Sequence, residues 1–186
     1  ILKWHQDADN YWHWMFEWLP RLIILKKYFQ SLPGRRSGLE DIRFFVLGSA
    51  LTKFQRDSIH SVLGFMPEII YESRGINLRN VIESPLSFTT HHDKQLLKDI
   101  KSIVFSAFPE ASQSIFPVYK FLYVLRGNAK NGRRLANEKD VCSLLAGFGF
   151  KSVSMDGLSI FQQANLFSNA DIIIGCHGSA FVNMIY

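Results

Sequence analysis

The chain has 186 residues, a formal net charge of +5, 47% hydrophobic residues and 20% charged ones. That length suits one ordinary domain or two small lobes, and so large an apolar fraction excludes a disordered chain. No apolar run is long enough to cross a bilayer as a helix, and Cys142 and Cys176 are too few for a disulfide framework or a zinc site.

The positive balance favours anionic partners. The basic residues are scattered apart from a cluster between Arg126 and Arg134, and a nucleic-acid interface would concentrate them on one stripe. Nucleic acid is therefore not expected as a partner. No signal-peptide pattern opens the chain. It starts at Ile1 and stops at Tyr186 inside what reads as folded sequence, so a fragment of a longer protein is expected.

Residues 1–19 are dense in aromatics, with Trp4, Tyr11, Trp12, Trp14, Phe16 and Trp18. Asp9 or Asn10 can cap a helix that starts at Tyr11. Tyr11, Trp14, Met15 and Trp18 share one face, which places His13 and Glu17 four residues apart on a neighbouring one. Pro20 kinks or restarts the helix, and residues 22–29 continue an amphipathic pattern. Most of these aromatics read as core. A second reading is a membrane-surface helix, with Arg21, Lys26 and Lys27 towards lipid phosphates.

Residues 30–40 read as a loop and 42–47 as a buried strand. A helix over 53–63 stops at Gly64. Short extended pieces follow at 68–71 and 76–82, and then comes a strongly periodic helix over 93–108. His91-His92 lacks the carboxylates and cysteines that would make it a metal site. Residues 109–117 read as a linker.

The pattern after the linker is regular. Strands are expected at 121–125, 150–155 and 171–174, alternating with helices at 138–146 and 159–167. That alternation predicts a parallel, Rossmann-like half-sheet. Asn137 is placed to cap the first of these helices. Cys142 falls on an apolar helix face and reads as core. The last strand, an apolar run closed by glycines, is expected to be buried on both faces. Gly175 and Gly178 are expected to allow a tight turn and close ligand approach, with backbone N–H groups at a following helix start.

Arg126 and His177 each follow a strand of this half-sheet, so both are expected at its carboxyl edge, where open α/β sheets bind ligands. An arginine there can fork onto a phosphate. Arg133 and Arg134 add charge nearby. No Gly-x-Gly-x-x-Gly follows a strand and no P-loop is present. No Asp-x-Asp pair stands at a strand end to hold a divalent cation; Asp7-Ala-Asp9 has the letters but precedes a helix.

Three ordered stretches carry a family resemblance. Asn10-Tyr11-Trp12-His13-Trp14 with Glu17, Pro20 and Arg21 resembles the first signature of glycosyltransferase family 61. Tyr123-Val124-Leu125-Arg126 with Arg134-Leu135-Ala136-Asn137-Glu138 resembles the second. Gln163, Ala164, Phe167 and Ala170 with His177-Gly178-Ser179 and Asn183 resemble the third, although alanine is commoner than serine at position 179. The family includes plant xylosyltransferases, eukaryotic N-acetylglucosaminyltransferases and bacterial proteins of capsular polysaccharide synthesis.

The resemblance implies an α/β chain of GT-B type, with two Rossmann-like lobes. Residues 1–115 would form an acceptor-side lobe, and 116–186 a nucleotide-sugar-binding lobe that is incomplete in this chain. It implies an inverting transfer from a nucleotide diphospho-sugar, expected to be UDP-linked, to a glycan or polysaccharide hydroxyl, with no resident cofactor and no metal. Arg126, Arg134, Asn137, His177, Gly178, Ser179 and Asn183 would bind the donor and its phosphates, and Asn10 and Arg21 stand on the acceptor side. Inversion needs a base opposite the leaving group, and His13 and Glu17 are the candidates; a histidine has the better-matched pKa, a buried glutamate can be tuned to match, and Glu17 or a His13–Glu17 pair is expected to serve. The alternative is a non-catalytic nucleotide- or polysaccharide-binding protein, or a scaffold at a membrane surface. A bacterial member would work in the cytoplasm, at or near the inner face of the membrane; a eukaryotic one would work in the secretory lumen.

Overall fold

The structure is a computed structural model that describes residues 2–3, 10–33, 45–47, 51–66, 68–70, 93–107, 117–127 and 134–186. The chain forms two compact units, Ile1–Ala107 and Phe108–Tyr186. The expected lobe boundary at 115/116, the extended piece at 76–82, His91-His92 and Arg133 lie outside the described residues. Both units alternate strands with helices and contain a three-stranded parallel sheet. The chain is an α/β protein.

In the first unit, β1 (Leu2–Lys3), β2 (Phe45–Leu47) and β3 (Glu68–Ile70) lie in that spatial order. Leu2 is opposite Val46, and Val46 is opposite Ile69. The connections carry helices, as parallel neighbours require. Between β1 and β2 runs one long helical stretch: α1 (Tyr11–His13), a π-helical segment (Trp14–Trp18) and α2 (Leu19–Ser31). The helix therefore outlasts Gln30, where a loop is expected from sequence.

α3 (Lys53–Leu63) has clear local signals at both ends. Gln55 reaches back to accept the Thr52 N–H at 2.7 Å. Gly64 ends the helix at φ 82°, in the left-handed region that glycine enters most cheaply. α4 (Lys94–Ala107) starts where Asp93 accepts the N–H groups of Gln95 and Leu96 at 2.9 and 3.0 Å.

Helices α2, α3 and α4 pack on one another. Trp14, Met15, Leu22, Ile23, Ile59 and Ile100 are essentially removed from water. Inside this apolar layer, the Trp14 indole donates to the Ser58 hydroxyl at 2.8 Å. Lys26 donates to the Val62 carbonyl at the end of α3, and Lys27 pairs with Asp99 of α4. The latter pair is largely exposed on its lysine side and contributes little stability.

In the second unit, β4 (Phe121–Val124) lies between β5 (Lys151–Val153) and β6 (Ile172–Gly175). α5 (Glu138–Gly147) connects β4 to β5, and α6 (Ile160–Asn169) connects β5 to β6. Ser159 and Gln162 form a reciprocal cap on α6, with bonds of 3.2 and 2.8 Å. Leu166 and Phe167 of α6 bury Leu122 and Val124. β6 leads through a turn into a 3₁₀ helix, Ser179–Ile185.

Three expectations are corrected here. β6 is not buried on both faces: Ile172 is 48% exposed and Ile174 39%. Among the described residues it pairs with β4 alone, so it is an edge strand whose apolar content does not report double coverage. Cys142 is half-buried, and α5 has no fully buried residue. Asn137 occupies the cap position of α5, but its side chain makes no capping bond.

Candidate functional site

The carboxyl edge of the second sheet begins where its ladder runs out. The Leu125 N–H still donates to the Val153 carbonyl at 3.0 Å. One residue on, the Arg126 N–H has left the sheet and donates to Oε1 of Glu138 at 2.8 Å. Glu138 opens α5, where the helix dipole favours a carboxylate. The Arg126 side chain crosses to the turn after β6 and donates through Nη1 to the His177 carbonyl at 2.9 Å.

The glycines around this arginine are small for reasons of space. A β-carbon on Gly178 would lie 2.0 Å from Arg126 Nη1. Gly178 itself has an extended backbone, φ −176°. A β-carbon on Gly175 would lie 2.9 Å from the Val124 carbonyl oxygen. Neither residue has a positive φ, so close packing takes the place of the tight-turn role read from sequence. Gly127 differs: its φ is 60°, and a β-carbon there would meet the Asp156 carboxylate at 2.5 Å.

Arg126, Arg134, Leu135, Cys176 and His177 line a cavity of about 240 Å³. This is below the roughly 300–1,000 Å³ of pockets that enclose drug-sized ligands. Two guanidinium-bearing residues on one small wall give it a positive lining, which can attract an anion.

Other residues expected at the donor site are placed differently. Asn183 is fully buried and donates its amide to Gln163 at 2.9 Å, while Gln163 donates to the Leu158 carbonyl at 3.2 Å. These two amides join the 3₁₀ helix to α6 beneath the edge and do not line the cavity. Ser179 opens the 3₁₀ helix, half-buried, and Asn137 is exposed at the start of α5. Leu135 and Glu138, which belong to the second signature stretch, and Cys176 in the turn after β6 carry no site role in the reading from sequence. A carboxylate at a helix start just after a strand-end arginine is the signal that points to Glu138.

Beneath the edge lies Tyr123, 2% exposed. Its hydroxyl makes no hydrogen bond of normal geometry. Burial first, then the Glu138 carboxylate and the Cys176 and Cys142 thiols, push the phenol above its ordinary value.

The first unit holds a separate polar group on the Tyr11–Ser31 helical stretch. Asn10 caps it, accepting the Trp12 N–H at 2.9 Å. His13 Nδ1 and Glu17 Oε1 are 2.8 Å apart, with side chains 31% and 18% exposed. The Trp12 ring stands edge-on to His13 at 5.1 Å.

Both members of this pair touch the π-helical segment: His13 caps it and Glu17 lies within it. The Leu19 N–H bonds to the Trp14 carbonyl five residues back. Pro20 has no N–H to give, and its ring crowds the carbonyl four residues earlier, so a widened turn before it relieves the conflict. Arg21 stacks its guanidinium 4.8 Å from the Trp18 ring centroid, and its buried Nε has no hydrogen-bond partner. The structure thus brings Arg126, Arg134, His177 and Gly178 together in the second unit, and His13 and Glu17 together in the first.

No curated protein matches the chain. The family model described as Glycosyltransferase 61 matches residues 11–186, which takes in the π-helical segment, the arginine-lined cavity and the His177-Gly178 turn. Membership implies glycosyl transfer as the general activity, and with a match over nearly all of its length the chain belongs to glycosyltransferase family 61.

Proposed function

We propose that the chain belongs to an inverting, metal-independent glycosyltransferase that moves a sugar from a UDP-linked donor to a glycan or polysaccharide hydroxyl. In this reading the fold is GT-B, with 1–115 as the acceptor-side lobe and 116–186 as part of the donor lobe. The single observation that carries it is the cavity lined by Arg126, Arg134 and His177 at the carboxyl edge of a parallel sheet. Arg126 and Arg134 hold the diphosphate and stabilise the charge that grows on it as the glycosidic bond breaks. Paired guanidinium groups supply that charge without a divalent cation.

His13 serves as the base and Glu17 orients it. A carboxylate 2.8 Å from Nδ1 favours the tautomer with its proton on that nitrogen, leaving Nε2 to accept the proton of the acceptor hydroxyl. The acceptor oxygen then bonds to the anomeric carbon as the carbon–oxygen bond to the diphosphate breaks. The direction of attack inverts the centre. For a bacterial member the product is a capsular polysaccharide.

Calorimetric titration with UDP, GDP and CMP, with and without EDTA, tests the donor half of this reading. UDP binding that survives EDTA and is weakened severalfold in Arg126→Ala is the expected result. Absence of binding by all three nucleotides would overturn it in favour of a non-catalytic polysaccharide-binding or membrane-surface role.

A further inference from the structure

We propose that Glu138 is a positioning residue for the anion site, holding the Arg126 main chain so that the guanidinium stays on the cavity wall. The inference rests on the reading of this cavity as the donor diphosphate site. Three observations converge on it. Leu125 makes the last ladder bond, and the Arg126 N–H just beyond it donates to the carboxylate at 2.8 Å. Glu138 is the first residue of α5, where its negative charge is stabilised by the helix end. The far end of the arginine is tied separately, through Nη1 to the His177 carbonyl.

Two of the ties on Arg126 therefore run to two different elements. Its main chain is tied to α5 and its guanidinium to the turn after β6. The tie at α5 is a charge-assisted hydrogen bond, of the stronger class. Tyr123 adds to this: its buried phenol lies within reach of the Glu138 charge, so the carboxylate is seated between strand and helix. Removing the carboxylate takes this tie from the Arg126 N–H and loosens the strand end. The guanidinium then spends less of its time on the wall.

The test is calorimetric titration of UDP and of inorganic pyrophosphate into the protein and its variants. Glu138→Ala should weaken both ligands about tenfold, the loss of one hydrogen bond to a charged group. Glu138→Gln, which keeps an oxygen acceptor for the Arg126 N–H, should recover most of that loss. The distinguishing variant is the double one. If Glu138 acts through Arg126, Glu138→Ala should cost nothing more once Arg126→Ala is present.

Wild-type affinity in Glu138→Ala, or an equal loss with and without Arg126, would overturn the proposal and leave the donor-site reading standing. If the unaltered protein binds neither UDP nor pyrophosphate, both fall together. Should Glu138→Ala fail to fold, Glu138→Asp carries the same comparison, because it keeps the charge but draws the oxygen back from the N–H. It should then show the tenfold loss, and wild-type affinity in it would overturn the proposal.

Discussion

The guanidinium of Arg126 fills the space in which a side chain on Gly178 would begin, with 2.0 Å between Nη1 and a β-carbon there. The extended backbone at Gly178 suits any residue, so the glycine is required for room alone. Gly178→Ala should therefore displace the end of a flexible side chain and leave the fold intact. UDP affinity is expected to fall about tenfold while the melting temperature moves by a few degrees at most. Calorimetry beside a melting curve checks this, and unchanged affinity would show that the observed place of the guanidinium is not the one used.

The His13–Glu17 pair predicts a split between turnover and donor binding. His13→Ala should lower turnover by about 10²-fold or more, the usual contribution of a positioned base. Glu17→Gln should lower it less, since an amide oxygen can still accept from Nδ1. UDP affinity should be unchanged in both, because the residues that line the arginine cavity all belong to the other unit. Single-turnover rates and UDP titrations on the same samples separate the two effects.

Trp14 and Ser58 make a prediction about stability. Ser58→Ala leaves the indole N–H buried without its partner, which should cost about 1–3 kcal/mol. Trp14→Phe removes the donor as well as part of the ring and should cost a comparable amount through the space it leaves. All four tryptophans, at positions 4, 12, 14 and 18, fall within the first unit. Intrinsic fluorescence during urea unfolding therefore follows that unit separately from the second.

Tyr123 predicts a dependence on alkaline pH. Its folded pKa is raised above the ordinary 10.0, by burial first and by Glu138 next. As pH passes 10.0, the unfolded chain releases this proton before the folded chain does. Stability is unaffected by this group below that point and falls as pH climbs towards the raised value. Tyr123→Phe should flatten the alkaline loss. At neutral pH it should change stability little, because the hydroxyl removed makes no hydrogen bond of normal geometry. Circular dichroism during urea unfolding at neutral pH and above pH 10.0 measures both effects.

What was legible in the sequence was local. Helices over 53–63, 93–108 and 159–167 and the stop at Gly64 are readable from spacing, and the structure has α3, α4 and α6 there, their starts held by bonds at Thr52, Asp93 and Ser159 that reach only a few residues. The parallel half-sheet follows from alternating apolar runs, and β4, β5 and β6 form it. Exposure was less legible. β6 has the apolar content of a doubly covered strand, yet its place at an edge of the sheet leaves Ile172 and Ile174 partly in water.

The site shows the same limit. Asn183 stands within a run of signature residues, and only the fold reveals that its amide is spent on Gln163 in the interior. Asn137 has the letter of a cap, whereas the neighbouring Glu138 makes the long-range bond. Spacing along the chain predicts that Arg126 and His177 share an edge. It does not predict that one donates to the main chain of the other, because that depends on how far apart β4 and β6 hold the two turns.

The π-helical segment from Trp14 to Trp18 is, in geometric terms, an α-helix with one additional residue wound into a turn. Each residue of a regular helix advances the azimuth by about 100°. Excising a single residue there would restore a regular helix and rotate everything before it by about that angle relative to α2. His13 would swing to a different side of the rod, while Leu22 and Ile23 kept their seats in the core. The extra residue acts as a phase-setter: it lets the packing of the helix and the bearing of its histidine be chosen independently.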